Sequence, residues 1–394
     1  MKIRRVVVKL GTNIVIENAT NASPAMERLS SIVSDIASIR ERGVEVVIVT
    51  SGAIGLGRSI LKEGAEKAAQ SEKPPSAFSK ERSLVEKQVC ATVGQSALMK
   101  VWSELFAEFS VITAQLLLTA LDFERRESYL NVHATIEELL QRGIVPIINE
   151  NDATSVKEIQ EDAELSFGDN DRLSAIVASR IGAQRLVILT STDGIFSANP
   201  ELDNEASLIR EISTLTLLES ISTQGSSSGG RGGMRAKLSA VKIAATCGVT
   251  VHVASGFKAP AVSRALFNGE GTTIRGSSGV SLRKGWIGHS SGFKGVVAVN
   301  DGAKHALLLL GSSLLPVGIL SVRGDFTAGE VVRVEDSEGI ELGRGVVNYD
   351  SLTLSKLAGK RSREFREMLD REWCEEEAIH RNNLVLFVRE QDNE

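Results

Sequence analysis

The stretch VVVKLGT, Val6 to Thr12, decides the fold of the N-terminal region. Three consecutive β-branched residues favour a buried strand, and the glycine after them marks a turn. Ser23-Pro24 then signals the start of a helix. Its apolar residues recur at helical spacing, at Leu29, Ile32, Val33, Ile36 and Ile39. After Gly43, a second β-branched run, Val44–Thr50, completes a β-α-β unit, which predicts two parallel strands joined by a right-handed crossover.

Short β-branched runs continue to alternate with helical patterns as far as about residue 275. The predicted strands are Val6–Leu10, Val44–Thr50, Val111–Leu117, Ile144–Ile148, Arg185–Thr190 and Val249–Ala254. This order is typical of an α/β domain in which helices cover both faces of a mostly parallel sheet. We therefore predict one such domain over residues 1–275.

The pattern changes near Ser277-Ser278-Gly279. Short strands follow, and turn residues such as Asp301-Gly302 and Gly324-Asp325 separate them. This rhythm predicts a compact β domain over residues 286–385. The segment from Trp286 to Glu394 carries 13 Lys and Arg against 18 Asp and Glu, so the second domain is acidic.

Composition narrows the class of partner and the compartment. With 394 residues, 42% of them hydrophobic, the chain can bury a large core, and its formal net charge is only -5. Without a basic block, a small-molecule substrate fits better than nucleic acid or a membrane. The cysteines, Cys90, Cys247 and Cys374, lie far apart, which indicates a reducing compartment. The N-terminus lacks the pattern of a signal peptide, so we predict the cytoplasm.

Two strand ends carry glycine turns that suit phosphate chemistry. Lys9 stands beside Gly11, where a lysine can neutralise phosphate charge; the alternative is a lysine that simply reaches solvent. Ser51-Gly52 opens a second glycine turn, which suits the binding of an anion at a helix N-terminus. The alternative is that these glycines serve only close packing of the chain. Gly52–Ser59 resembles a P-loop, but Arg58 replaces its lysine.

Acidic and carboxamide side chains crowd two further segments, Asn149–Asp152 and Asp169–Asp171. Such a set can bind an ammonium group, position lysines or hold Mg²⁺. The alternative is that they are turn and N-cap residues before a helix at Leu173–Ile181. We favour a functional role, because an exposed turn rarely needs so dense a set.

Gly229–Lys237 reads as a flexible glycine loop that leads into a helix. A loop of this kind can close over a nucleotide and bring Lys237 to a transferred phosphoryl group. The alternative is a disordered linker. Lys62–Arg82 reads as a polar surface insertion, and Gly225–Gly233 as a glycine and serine loop.

These motifs appear in a specific order along nearly the whole chain. They are Lys9-x-Gly11-Thr12, Thr50–Ala53, Val93-Gly94-Gln95, Tyr129-Leu130-Asn131, Asn149–Asp152, Gly168–Asp171, Gly232–Lys237 and Gly311–Pro316. The ordered set resembles the glutamate 5-kinases of the amino acid kinase family, and the tail resembles a PUA domain. The resemblance implies an αβα sandwich followed by a small β-barrel-like domain.

The resemblance also implies roles for individual residues. Lys9 and Lys237 would stabilise charge on the moving phosphoryl group, with Asp171 orienting both lysines. Glutamate would contact Ser51, Gly52, Asn149, Asp152, Asp169 and Asn170. ATP would contact Lys9, Gly11, Thr190, Ser191, Arg231, Gly232, Gly233, Met234, Arg235, Ala236 and Lys237. Mg²⁺ would accompany ATP, and no protein residue is assigned as a metal ligand.

Further implications concern the pathway and its control. The product would be the acyl phosphate of the first step of proline biosynthesis, passed on to glutamyl-phosphate reductase, with L-proline as feedback inhibitor. Family members are often dimers or tetramers. Ser191 stands where Asp is common, and Arg231 where a small or hydroxylated residue is common. Lys62–Arg82 and Thr154–Phe167 look longer than usual. Because the second segment lies between two substrate motifs, where proline control would be expected, we expect altered proline inhibition.

Three alternatives remain open at this stage. Another amino acid kinase would act on aspartate, acetylglutamate or carbamate instead of glutamate. A PUA domain suggests RNA binding, but the acidic tail argues against it, because phosphate contacts dominate nucleic-acid affinity. An inactive regulatory relative is the third, and the retention of both lysines and of the acidic cluster argues against it.

Overall fold

The computed structural model of the chain divides into two compact units, Met1–Ser278 and Gly279–Glu394. It describes residues 3–17, 22–68, 84–123, 126–154, 169–198, 200, 203, 205–213, 231–276, 293–360 and 376–387. The predicted start of the second domain, residue 286, lies outside these ranges. The predicted bounds, 1–275 and 286–385, stay a prediction.

The first unit alternates strands and helices. Its strands are β1 Arg5–Leu10, β2 Glu45–Val49, β3 Thr113–Leu118, β4 Val145–Glu150, β5 Arg185–Thr190, β6 Glu211–Ile212, β7 Thr250–Ser255 and β8 Thr272–Ile274. Its helices are α1 Thr12–Val15, α2 Met26–Glu41, α3 Ala53–Ala68, α4 Leu84–Ala107, α5 Arg126–Gln141, α6 Asp169–Arg180, α7 Arg231–Thr246 and α8 Ala261–Phe267. A short 3-10 turn at Ala120–Phe123 precedes α5.

The strands form one sheet in the order β3-β4-β2-β1-β5-β7-β8-β6. All neighbouring pairs are parallel except β7 with β8. The chain leaves β1 toward β2 on one side and later returns to pair β5 on the other side. In open parallel sheets, ligands bind at the carboxyl ends of the strands where the order reverses, so the end of β1 is where a site is expected.

Side-chain alternation along β1 separates the two apolar layers of the unit. Val6, Val8 and Leu10 pack into a cluster with residues of α2, α4 and α8. Val7 belongs to a second cluster, which contains residues of α5, α6 and α7. Because side chains alternate between the faces of a strand, Lys9 lies on the same face as Val7, beneath α6 and α7. The helix-covered, mostly parallel sheet confirms the predicted fold class.

All six predicted strands are present, each within two residues of its expected ends. The short strands β6 and β8, of two and three residues, were not predicted. Of the predicted insertion Lys62–Arg82, the part up to Ala68 continues α3, and the rest lies outside the described residues. Cys90 and Cys247 are free and buried, as expected for ordinary thiols.

Helices α3 and α4 cross at two glycines. A Cβ built on Gly57 would stand 1.8 Å from the carbonyl oxygen of Cys90, and a Cβ on Gly94 would stand 1.8 Å from that of Ala53. Real side chains never approach backbone so closely, so these glycines permit a helix contact that no other residue allows. The crossing fixes α4 against the turn that begins α3.

Gly57→Ala should therefore lower the stability of the first unit by roughly 1–3 kcal/mol, because α3 and α4 must move apart. Gly64→Ala, in the same helix, is the matched control. A Cβ at Gly64 would meet nothing within 4 Å, so this variant should gain about 0.5–1 kcal/mol. Urea unfolding followed by circular dichroism measures both, and equal shifts in the two variants would contradict the close helix contact.

The second unit contains a five-stranded sheet in the order β10-β9-β11-β12-β13. Its elements are β9 Gly295–Val299, α9 Asp301–Leu310, β10 Ile319–Gly324, β11 Val331–Glu335, β12 Glu341–Val346, α10 Ser351–Leu357 and β13 Leu384–Leu386. Asn300 caps α9 and Asp350 caps α10, each accepting a hydrogen bond from a backbone N–H in the first turn. One apolar cluster that includes Val297, Phe326 and Leu354 forms its core.

Among the described helices, none combines the length and the apolar character needed to cross a bilayer.

Candidate active site

Lys9 is the first charged group of the site. Strand β1 is buried along its whole length, and Lys9 is only 5% exposed. Its Nζ forms an ion pair with Oδ1 of Asp171. The alternative in which this lysine reaches solvent is therefore wrong, because a buried ammonium needs a paired partner and Asp171 provides it.

Asp171 lies in the first turn of α6 and is 2% exposed. The helix was expected to begin at Leu173, but it begins at Asp169. Carboxylates in a first helical turn are stabilised by the positive end of the helix dipole, which favours the extra turn. The alternative in which Asp169–Asp171 precede the helix is therefore wrong, because all three residues belong to it.

Lys237 reaches the same carboxylate from α7. Its Nζ lies 3.4 Å from Oδ2 of Asp171, opposite the oxygen that Lys9 occupies. The predicted flexible loop is corrected here, because α7 already begins at Arg231 and Lys237 is helical. C-terminal to Lys237, the helix buries Leu238, Val241 and Ala244. Once this packed part of the helix has formed, extending it by two turns toward the N-terminus costs little free energy. Residues 214–230 lie outside the described residues.

The three charges perturb one another. Burial lowers the pKa of the Lys9 ammonium, and the nearby positive charge of Lys237 lowers it further. The Asp171 carboxylate opposes both effects through its charge and its hydrogen bond to Lys9. One buried carboxylate thus holds two ammonium groups side by side at the end of β1.

A second polar cluster adjoins this triad, since Asn170 is the neighbour of Asp171. The Asn170 Nδ2 donates to Oγ of Ser51 at 3.0 Å and to Oδ1 of Asn149 at 3.2 Å. The backbone N–H of Glu150 donates to Oδ1 of both asparagines, at 3.0 and 3.2 Å. Ser51 follows β2 and Asn149 ends β4, so the sheet order itself brings these residues together.

Two glycines shape the backbone around these clusters. Gly52 adopts φ +105°, a conformation that side chains with a Cβ rarely take, and a Cβ there would also crowd Val15 at 3.2 Å. A Cβ on Gly11 would stand 3.7 Å from the Lys9 Nζ, so this glycine lies directly beside the ammonium.

Only some of the remaining predicted site residues can be placed at these strand ends. Thr190 is buried at the end of β5, and its exposed neighbour Ser191 follows the strand. Asp152 lies in a turn two residues after β4. Asp169 begins α6, but its side chain is outside the described residues, as are those of Arg231, Gly232, Gly233, Met234, Arg235 and Ala236. Gly168 and residues 155–167, which form most of the longer segment tied to proline control, lie outside as well.

In the described ranges, no three His, Cys, Asp or Glu side chains come close enough to hold a metal ion. Asp171 already pairs with two lysines. The binding of Mg²⁺ together with ATP stays a prediction.

Gln95 is a further polar residue of the site. It belongs to the motif Val93-Gly94-Gln95, and the sequence assigned it no role. It lies on α4 and is 8% exposed, and its Oε1 accepts a hydrogen bond from Nδ2 of Asn149 at 2.7 Å. The sequence signal is its position, because Gln95 falls on the apolar stripe of α4, in line with the buried residues Ala91, Leu98 and Trp102.

Comparisons with known proteins identify the class of protein to which this fold and site belong. The amino acid kinase family model matches residues 4–255, and the PUA domain model matches residues 295–369. A solved UMP kinase from Bacillus anthracis covers 71% of this chain, and 98% of its own, at 17% identity and a TM-score of 0.45.

Relatives that match nearly the full length of the chain identify the family more closely. A protein named glutamate 5-kinase from Dictyoglomus turgidum is 39% identical over 389 residues, covering 98% of each chain. Proteins of that name from Trichlorobacter lovleyi and Rhizobium etli are 36% and 38% identical, and the matches cover 98% of this chain and 98% and 94% of theirs. The chain belongs to the glutamate 5-kinases of the amino acid kinase family.

Proposed function

We propose that this chain transfers the γ-phosphoryl group of ATP to the side-chain carboxylate of L-glutamate, forming L-glutamyl 5-phosphate and ADP. The observation that carries the proposal is the pairing of Lys9 and Lys237 on one buried carboxylate, next to the Ser51–Asn170–Asn149 cluster. The names of the full-length relatives supply the substrate.

The chemistry requires charge control rather than proton transfer. A glutamate carboxylate is already ionised at neutral pH, so its oxygen attacks the γ-phosphorus directly, while the bond to the ADP oxygen breaks. The obstacle is repulsion between two anions. Lys9 and Lys237 reduce it by placing positive charge against the phosphoryl oxygens, and Asp171 holds both ammonium groups in place.

We assign the remaining site residues to the two substrates. Glutamate is held by Ser51, Gly52, Asn149, Asp152, Asp169 and Asn170. ATP is held by Lys9, Gly11, Thr190, Ser191, Lys237 and the α7 segment Arg231–Ala236. Mg²⁺, when bound with ATP, supplies further neutralisation of phosphate charge.

Further parts of the proposal follow from membership of the family. The reaction is the first step of proline biosynthesis in the cytoplasm, L-proline is the feedback inhibitor, and the labile product passes to glutamyl-phosphate reductase. A homodimer or homotetramer is the proposed assembly. RNA binding by the acidic C-terminal domain is not part of the proposal.

A coupled assay tests the proposed function. ATP consumption is measured with Mg²⁺ and L-glutamate, and the acyl phosphate is trapped with hydroxylamine as a hydroxamate. We expect turnover with glutamate and at most trace turnover with aspartate, acetylglutamate or carbamate. Preference for one of these other acids would overturn the substrate assignment while leaving the family intact.

A further inference from the structure

Gln95 carries a donor group that none of the described contacts uses. Its Oε1 accepts from Asn149, but its Nε2 is fully buried and has no hydrogen-bond partner in the described part of the chain. Buried amide groups in folded proteins are nearly always paired, because an unmade hydrogen bond costs free energy. An unpaired buried donor beside a proposed substrate site therefore indicates that a ligand supplies the acceptor.

The orientation of the Gln95 amide follows from a backbone group. The N–H of Glu150 faces Oδ1 of both Asn149 and Asn170, and an N–H cannot face an amide NH₂. The NH₂ of Asn149 must then point to Gln95, which has to present its oxygen. The unpaired atom is consequently the nitrogen of Gln95, a donor, and its partner must be an acceptor.

Packing places Gln95 beside the proposed glutamate residues. Its neighbour Gly94 lies against the carbonyl oxygen of Ala53, the residue that follows Ser51-Gly52. On its other side, Gln95 touches Asn149 at the end of β4. Gln95 thus bridges the turn after β2 and the end of β4.

We propose that Gln95 is a further substrate-binding residue, whose Nε2 donates a hydrogen bond to a carboxylate oxygen of the amino acid substrate. This inference rests on the proposed function, which puts an amino acid with two carboxylates at this cluster. An ionised carboxylate only accepts hydrogen bonds, so it satisfies the amide nitrogen, whereas an ammonium group does not.

Two variants separate direct binding from support of Asn149. Gln95→Glu keeps an oxygen for the Asn149 amide but removes the NH₂ group, and Gln95→Met removes both. Loss of one hydrogen bond to a charged group lowers affinity about 10- to 100-fold, so the glutamate KM should rise by that factor in both variants. The KM for ATP should change little in both variants, whereas the melting temperature without glutamate should fall in Gln95→Met, because the buried Asn149 amide then loses its acceptor. Gln115→Glu, on the exposed edge strand β3, controls for the added charge and should match the wild type.

A glutamate KM within about threefold of wild type in Gln95→Glu would overturn the inference. The Gln95 oxygen alone would then be enough for glutamate binding. This conclusion holds even if Gln95→Met is impaired or does not fold. The wild type is assayed first. Absence of glutamate turnover overturns the proposed function, and the variants are then scored on the KM for the acid that is used. Glutamate turnover with an unchanged KM in Gln95→Glu overturns this inference alone.

Discussion

Replacing Lys237 with alanine is expected to lower kcat about 10²- to 10³-fold, the usual effect of removing one group that stabilises transition-state charge. Lys237 lies 3.4 Å from one oxygen of Asp171, and its side chain retains 20% exposure. Its ammonium group is therefore accessible to a phosphoryl group, whereas Lys9 is more deeply buried. Hydroxamate formation at saturating ATP and glutamate measures the loss.

Lys100→Ala is a matched control for this substitution. Lys100 also pairs with a carboxylate, Glu104 at 3.7 Å, but both side chains are exposed on α4. We expect its kcat to equal that of the wild type, because an exposed ion pair contributes little. If Lys237→Ala raised the KM for ATP and left kcat intact, Lys237 would bind the nucleotide without stabilising the transition state, and its proposed role would be wrong.

The interior of the sheet was predictable because each central parallel strand is buried on both faces and forms a continuous apolar run. Val6–Leu10 and Arg185–Thr190 are examples. The short strands β6 and β8 lack that signal, since they show no period, and β8 depends on pairing with β6 on one side and β7 on the other. The starts of α6 and α7 were also predicted wrongly, because both helices extend into segments rich in glycine, asparagine and aspartate, residues that are typical of turns.

The location of the site at strand ends was predictable from residue type, since Lys9, Ser51 and Asn149 each follow or end a predicted strand. The partner of each polar group was harder to predict. Asn149 and Gln95 are 54 positions apart, and nothing local in α4 indicates which face meets β4. The close contact at Gly94 decides it, and that contact depends on how two helices cross. A carboxamide on the apolar stripe of a helix is the signal that sequence reasoning can use, but it does not identify the partner.

Asp171→Asn is expected to change the pH dependence of the reaction as well as its rate. Asparagine keeps the shape of the side chain and removes the negative charge between two lysines. Among the causes that shift the pKa of Lys9, burial and Lys237 lower it, and only Asp171 raises it. Without that carboxylate, the pKa of Lys9 falls further, so the ammonium loses its proton at lower pH and no longer stabilises the phosphoryl group.

We therefore expect kcat/KM in Asp171→Asn to fall about 10²-fold, with a loss that grows as the pH rises and with the basic limb of the profile displaced to lower pH. The quantity kcat/KM is the right one, because it reports the pKa values of the free enzyme. Asp336→Asn is the matched control, since Asp336 is equally buried and pairs with Lys304 at 2.8 Å in the second unit. Its pH profile should coincide with that of the wild type. A loss of equal size at every pH in Asp171→Asn would mean that Asp171 only orients the lysines and does not maintain the charge of Lys9.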